Sequence, residues 1–171
     1  MCILYNRFVS HLLSMLKVNL DKLDKMTNYG ADGGDDPNRK VTGNFALYSG
    51  VGTKSGAVVY FELEPDKELG THTDSAEEIV YVVDGTIEAT VCNNKDRLSR
   101  GELGVVPVME LHNFRNVGTN TAKVIGFFSS PNVVSTFEKV FMPANFKEFD
   151  TTKLPVPKGA ATTATTTAKA N

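Results

Sequence analysis

The sequence predicts an all-β chain folded as a closed antiparallel barrel or double-sheet jelly roll, and three observations carry that reading. First, short segments rich in β-branched and aromatic residues succeed one another: NFALYSG, GAVVYFELEP, EEIVYVVDG, TIEATVCN, GELGVVPV, HNFRNV, TAKVIGFFSS and VVSTFEKVF. Each is bounded by Gly, Pro, Asn or Asp, the residues that turn a chain. Second, no helical pattern interrupts the series, so nothing supplies the crossovers that a parallel sheet requires. Third, Asp84-Gly85 reads as a two-residue hairpin between the third and fourth segments, because that pair tolerates positive φ. Asn93-Asn94 supplies a second turn.

In chain order, residues 2–20 are apolar but broken by Asn6, Arg7, Ser10, His11 and Ser14. No small-x-small cleavage site follows, and the stretch is too short and interrupted to span a membrane. Leu12, Leu13, Leu16 and Leu20 instead suggest one face of a short helical arm, with Met15 as an alternative start. The run YGADGGDDP, residues 29–37, reads as a linker. The expected division is therefore an arm and linker over 1–37, a β-barrel over 38–150 and a tail over 151–171. That tail ends in low-complexity Ala and Thr with nothing to bury, which predicts disorder.

At 171 residues with 41% hydrophobic content, one core is expected and two ordinary domains are not. A net charge of −2 and a pI near 5.9, with no basic block and no helix-turn-helix pattern, argue against nucleic acid or an anionic membrane as partner. A small-molecule ligand fits better. Cys2 and Cys92 are too few and too scattered for a disulfide framework or thiolate zinc site, so a reduced, cytoplasmic setting is expected.

Two stretches carry the chemistry. GTHTDSAEEIVYVVDG, residues 70–85, contains His72, Asp74 and Glu78, and GELGVVPVMELHNFRN, residues 101–116, adds His112. Their pattern resembles the cupin superfamily, in particular its small single-domain (type 2) members. The first cupin motif has two histidines one residue apart, then glutamate and glycine; His72, Asp74, Glu78 and Gly85 fall on those positions, with Asp74 replacing the second histidine. Gly101, Pro107, His112 and Asn116 match the second motif, with Met109 where glycine is usual. The fifteen residues between Gly85 and Gly101 are a short spacing, and the resemblance covers roughly residues 40–130. It implies a double-stranded β-helix.

The spacings also have a direct physical reading. Residues two apart on a strand share a face, so His72 and Asp74 converge inward, and Glu78 follows with Val80 and Val82 on its face. Glu77, the neighbour most easily mistaken for Glu78, belongs on the solvent face. His112, Phe114 and Asn116 share a parity that leaves Arg115 outside. Pro107 suits a strand edge or barrel rim. A single histidine in a strand is usually structural, and His11 is read that way; His72 and His112 together with Glu78 are read as ligands. The expected metal set is His72, Asp74, Glu78 and His112 around a divalent transition ion, Fe, Mn, Ni or Zn. Asp74 and Glu78 are also the catalytic candidates, Asp74 either ligating or serving as a general base.

Tyr48, Tyr60, Met109, Phe114 and Phe127 are the candidate pocket walls, against the plainer reading of aromatic core filling. The resemblance leaves several activities open. The leading expectation is a dioxygenase-like oxidoreductase, loosely similar to quercetinases, acting on an enol or hydroxy-carbonyl compound. The alternatives are a redox-neutral lyase or isomerase and a non-catalytic metabolite-binding module. Apolar outward residues Ile79, Tyr81 and Val83 need cover, and cupins of this size imply a homodimer.

Overall fold

A computed structural model describes residues 15–31 and 37–155. Twelve strands form one extended sheet that wraps round on itself. In chain order they are β1 (Met26–Gly30), β2 (Lys40–Leu47), β3 (Ala57–Leu63), β4 (His72–Asp74), β5 (Glu78–Asp84) and β6 (Thr86–Val91). There follow β7 (Asn94–Ser99), β8 (Leu103–Val106), β9 (His112–Asn116), β10 (Ala122–Phe128), β11 (Val134–Met142) and β12 (Phe146–Asp150). The pairing order is β7-β6-β9-β4-β11-β1-β2-β3-β10-β5-β8, with β12 added to β11, and every named ladder is antiparallel. Short β-type segments without crossover helices thus close the barrel that the sequence predicts.

Alternation sets the interior. On β5, Glu78, Val80 and Val82 are buried while Ile79, Tyr81 and Val83 point outward. On β10, Val124 and Phe128 are buried and Phe127 is exposed. The main core joins Phe61 and Leu63 of β3 to Val80, Val82, Ile87, Phe114 and Val124. A second cluster packs Phe45, Tyr48, Ala57, Phe128 and Val133 together.

Several local expectations differ from the structure. Asp84-Gly85 is not a hairpin, since β5 pairs with β8 and β10 whereas β6 pairs with β7 and β9. Gly85, at φ +82°, is instead a corner that carries the chain between the barrel's two halves. A Cβ there would lie 2.8 Å from Ala122 Cα, so glycine serves both the turn and the close approach. The next turn lies at Cys92-Asn93, one residue before the expected pair, with Cys92 at φ +52° and Val91 opposite Asn94.

Nor is the described part of the arm an α-helix. Leu20–Lys22 make a single 3₁₀ turn capped by Asn19, and Leu16 is 47% exposed. One turn without a packed apolar face cannot propagate. Leu12 and Leu13 lie outside the described residues. The barrel itself begins earlier than residue 38, because β1 pairs with β2 and β11. At the other end Thr151 is buried, and its Oγ1 accepts the backbone N–H of Val133 at 2.9 Å. The remainder of the tail, from residue 156, lies outside the described residues. β7 escaped notice because NKDRLS has no apolar alternation; it is an outer strand held by the β6 ladder.

Among the described residues no helix is long and apolar enough to cross a membrane. The outer face of β5, β8 and β10 carries an apolar row in which Phe127 lies opposite Ile79 and Ile79 opposite Val105. Leu103 lies opposite Tyr81 in a second row.

Candidate metal centre

Four side chains meet inside the barrel. β4 and β9 are neighbours in one half, where His72 and His112 are direct cross-strand partners with ring centroids 4.0 Å apart. Glu78 reaches them from β5 in the opposite half. Asp74 Oδ2 lies 3.5 Å from His72 Nε2 and 3.3 Å from His112 Nε2, and Glu78 Oε2 lies 3.7 Å from His112 Nε2. All four residues are at least 97% buried. His72, Asp74 and His112 each offer a ligand atom within 4.8 Å of the others, and Glu78 stands slightly outside that triplet.

Both imidazoles are oriented by backbone. His72 Nδ1 donates to Gly70 O at 2.8 Å, and His112 Nδ1 donates to Glu110 O at 2.9 Å. Since a carbonyl oxygen can only accept, the proton sits on Nδ1, and in the neutral ring the Nε2 lone pair faces the centre. This is the tautomer a metal ligand needs, fixed through its other nitrogen.

Asp74 is held as firmly. Its β11 partner Ser135 donates an O–H to Oδ1 at 2.5 Å, leaving Oδ2 for the centre. Glu78 depends on an absence of side chain: a Cβ on Gly126 of β10 would fall 2.0 Å from Glu78 Oε1. Asp74 Oδ2, Glu78 Oε2 and His112 Nε2 are buried with no hydrogen-bond partner. Three converging buried acceptors are costly when nothing neutralises them, and a divalent cation satisfies all three at once. Two imidazole nitrogens with two carboxylates fit a first-row transition ion.

The electrostatics agree. Burial pulls His112 toward neutrality, but the carboxylates of Asp74 and Glu78 that face it outweigh this and raise its pKa to about 10. Burial likewise opposes ionisation of Asp74, yet the two histidines hold its carboxyl well below the usual range. Glu78 is pushed upward, chiefly by burial.

A cavity of about 640 Å³, its open mouth included, leads from solvent to His72, Asp74 and Glu78. Phenylalanines belt it. Phe45 stacks on both Phe128 and Phe149 at 5.6 Å between centroids, and Phe149 meets Phe146 at 5.9 Å. Phe146 continues to Phe141 at 5.7 Å, Phe141 to Phe137 at 4.9 Å, and Phe137 stacks on His72 at 4.8 Å.

None of the five expected pocket residues lines this cavity. Tyr48 belongs to the second cluster, its hydroxyl donating to Pro155 O. Tyr60 has the outward parity of β3 and donates to Glu62 Oε1 at 2.7 Å, whereas its neighbours Val59 and Phe61 line the cavity. Phe127 points outward and is 42% exposed, and Met109 sits in a loop, 61% exposed. Phe114 packs against His112 at 5.4 Å between rings, behind the site rather than in the cavity wall. Glu77 is exposed and Arg115 faces outward, as their parity predicts. Sequence reasoning missed Ser135, Phe137 and Gly126. The alternation in VVSTFEKVF could have pointed to Ser135 and Phe137; nothing local marks Gly126.

Met109 has φ +63°, and its N–H donates to Asp74 O at 2.9 Å. The left-handed conformation explains why glycine is usual at this motif position. Met109→Gly is expected to raise stability by about 1 kcal/mol, read by denaturant unfolding; a destabilised variant would show that the side chain contributes packing.

The cupin domain model matches residues 59–128, which span all four candidate ligands. The polyketide synthase CurC of Streptomyces cyaneus is 31% identical over 100 residues, 56% of this chain and 64% of that protein. The chain thus spans less than two thirds of that relative. Among solved structures, the polyketide cyclase RemF of Streptomyces resistomycificus superposes with a TM-score of 0.52 at 18% identity, covering 67% of this chain and 79% of RemF. Peruvianin-I, a cysteine peptidase from Thevetia peruviana latex, reaches 0.56 at 20% identity, covering 72% and 79%. At such identities the likeness is one of fold, and proteins with such different names share it. With both motifs in order, built into the barrel they specify, residues 59–128 of this chain form a cupin domain.

Proposed function

We propose that this protein is a divalent-metal-dependent enzyme that removes a proton from an enol or hydroxy-carbonyl substrate in a redox-neutral reaction. The observation that carries the reading is the group of three buried, unpartnered acceptors, two of which, on Asp74 and Glu78, lie at the floor of an aromatic-walled cavity. A bound divalent ion would polarise the substrate oxygen as a Lewis acid. In this reading Asp74 stands off the ion and supplies the base: Ser135 anchors Oδ1, and Oδ2 is presented toward the cavity floor. Phenylalanine walls exclude water and hold a flat substrate by ring contact. The relationship to CurC supports a substrate of polyketide type.

The test is deuterium exchange at the α-carbon of an aryl 1,3-diketone, followed by NMR in D₂O. Metal-loaded protein is expected to accelerate exchange, and Asp74→Asn to lower the rate by about 10²–10⁴-fold while retaining metal. Exchange that survives in Asp74→Asn would remove Asp74 from the mechanism.

A second reading is the oxygen-dependent one. The His72, Asp74 and His112 triplet is a two-histidine, one-carboxylate set of the kind used by non-haem iron oxygenases. Oxygen-electrode measurements separate the two, because turnover unchanged under anaerobic conditions excludes a dioxygenase.

We also propose a cytoplasmic homodimer, on the cysteine usage and on the outward rows of β5, β8 and β10, where Leu103 and Val105 are 61% and 58% exposed. The terminal position of β8 in the sheet order leaves an edge for a second copy. Light scattering at working concentration is expected to give twice the chain mass; a monomeric mass refutes association.

A further inference from the structure

The cavity's charge count narrows the substrate class, an inference that rests on the metal-dependent reading of the same site. Two carboxylates, Asp74 and Glu78, face two imidazoles whose Nδ1 protons are committed to backbone carbonyls. With both rings neutral, one divalent ion brings the sum to zero. A third histidine in place of Asp74 would leave one surplus positive charge to receive an anion, and here that charge is cancelled within the protein.

Nothing else in the cavity restores it. Among the described residues no lysine or arginine lines the space, and the polar groups on its walls, Asn28, Asn44 and Ser135, are uncharged. Arg39 packs against the ring of Phe141, at 4.6 Å from the centroid, and donates to Val140 O without lining the cavity. A carboxylate entering this aromatic belt would lose its hydration without gaining a cationic partner. A flat uncharged ring system loses little and gains ring contact.

We propose that the site selects an uncharged, flat ring compound bearing a hydroxyl beside a carbonyl and discriminates against carboxylate-bearing analogues. Asp74, by cancelling the charge that would receive an anion, is the specificity determinant.

The test is equilibrium binding to the zinc-loaded protein, zinc being redox-inert, with 1,8-dihydroxyanthraquinone and its 3-carboxylate analogue as probes. The uncharged probe is expected to bind at least about tenfold more tightly. Asp74→His, and independently Asn44→Lys at the cavity wall, are each expected to shift the ratio toward the carboxylate by at least about tenfold. Equal or tighter binding of the carboxylate to the unmodified protein overturns the inference, as does failure of both probes to bind. Proton exchange on the diketone reports separately on the proposed reaction, so a substrate of the wrong charge class and a wrong reaction give different results.

Discussion

Replacing His112 by alanine is expected to reduce bound divalent metal from about one ion per chain to below about a tenth, with affinity lower by more than about 100-fold. His112 is 99% buried, and its Nε2 lies within 3.7 Å of both carboxylates, so its loss removes the donor that links the two halves of the barrel. His72→Ala should act in the same direction, and Glu77→Ala, one residue from Glu78 on the solvent face, should leave metal content unchanged. Elemental analysis of protein prepared without a metal-binding tag reads all three. Full metal content in both histidine variants would sink the assigned centre.

The same histidine sets the pH dependence. In the metal-free protein its pKa is raised to about 10 from an ordinary 6.5, so folding is favoured by its protonation. That contribution is complete below pH 6.5 and is lost as pH rises through about 10. Metal must displace the proton, so affinity is expected to increase by about tenfold per pH unit below that value, flattening above it. Isothermal titration at several pH values checks the slope, and a pH-independent affinity contradicts proton displacement from His112.

Gly126→Ala is expected to have the second largest effect. Its new methyl group would meet Glu78 Oε1 at 2.0 Å and Val59 Cγ1 at 2.8 Å inside a close-packed sheet. Overpacking of this kind costs about 1–3 kcal/mol, or roughly 3–10 °C in Tm for a domain of this size. Glu78 would also leave the centre, so metal affinity should fall by about tenfold or more. The double variant Gly126→Ala, Glu78→Ala makes the argument specific: removing the carboxylate opens the space, and stability should recover. Strictly additive losses would show that the methyl clashes with something other than Glu78.

Legibility differed from residue to residue for physical reasons. His72, Asp74, Glu78 and His112 could be named because strand parity is local, and parity places each on a buried face. Glu77 and Arg115 were assigned to solvent by the same rule. Parity could not choose among aromatics, because Phe127 and Phe128 are adjacent residues of equal hydrophobicity and only the sheet's curvature decides which points inward. Tyr60 failed similarly beside Phe61. Asp84-Gly85 carried a correct backbone signal, positive φ at glycine, that local sequence cannot assign to a hairpin or to a corner between two sheet halves.

By itself, then, the sequence determined most of the barrel's inner strands but not β1, β7 or β12, and it determined the inward parity of the four candidate ligands and their membership of two spaced motifs, all properties carried within a few residues of chain. Only the tertiary structure decided that Ser135 orients Asp74, that Gly126 makes room for Glu78, and that a belt of phenylalanines rather than Tyr48, Tyr60, Met109 or Phe127 walls the cavity. The first two of those contacts join residues 61 and 48 positions apart in the chain. Their distances are set by how the barrel closes, and no local pattern encodes that closure.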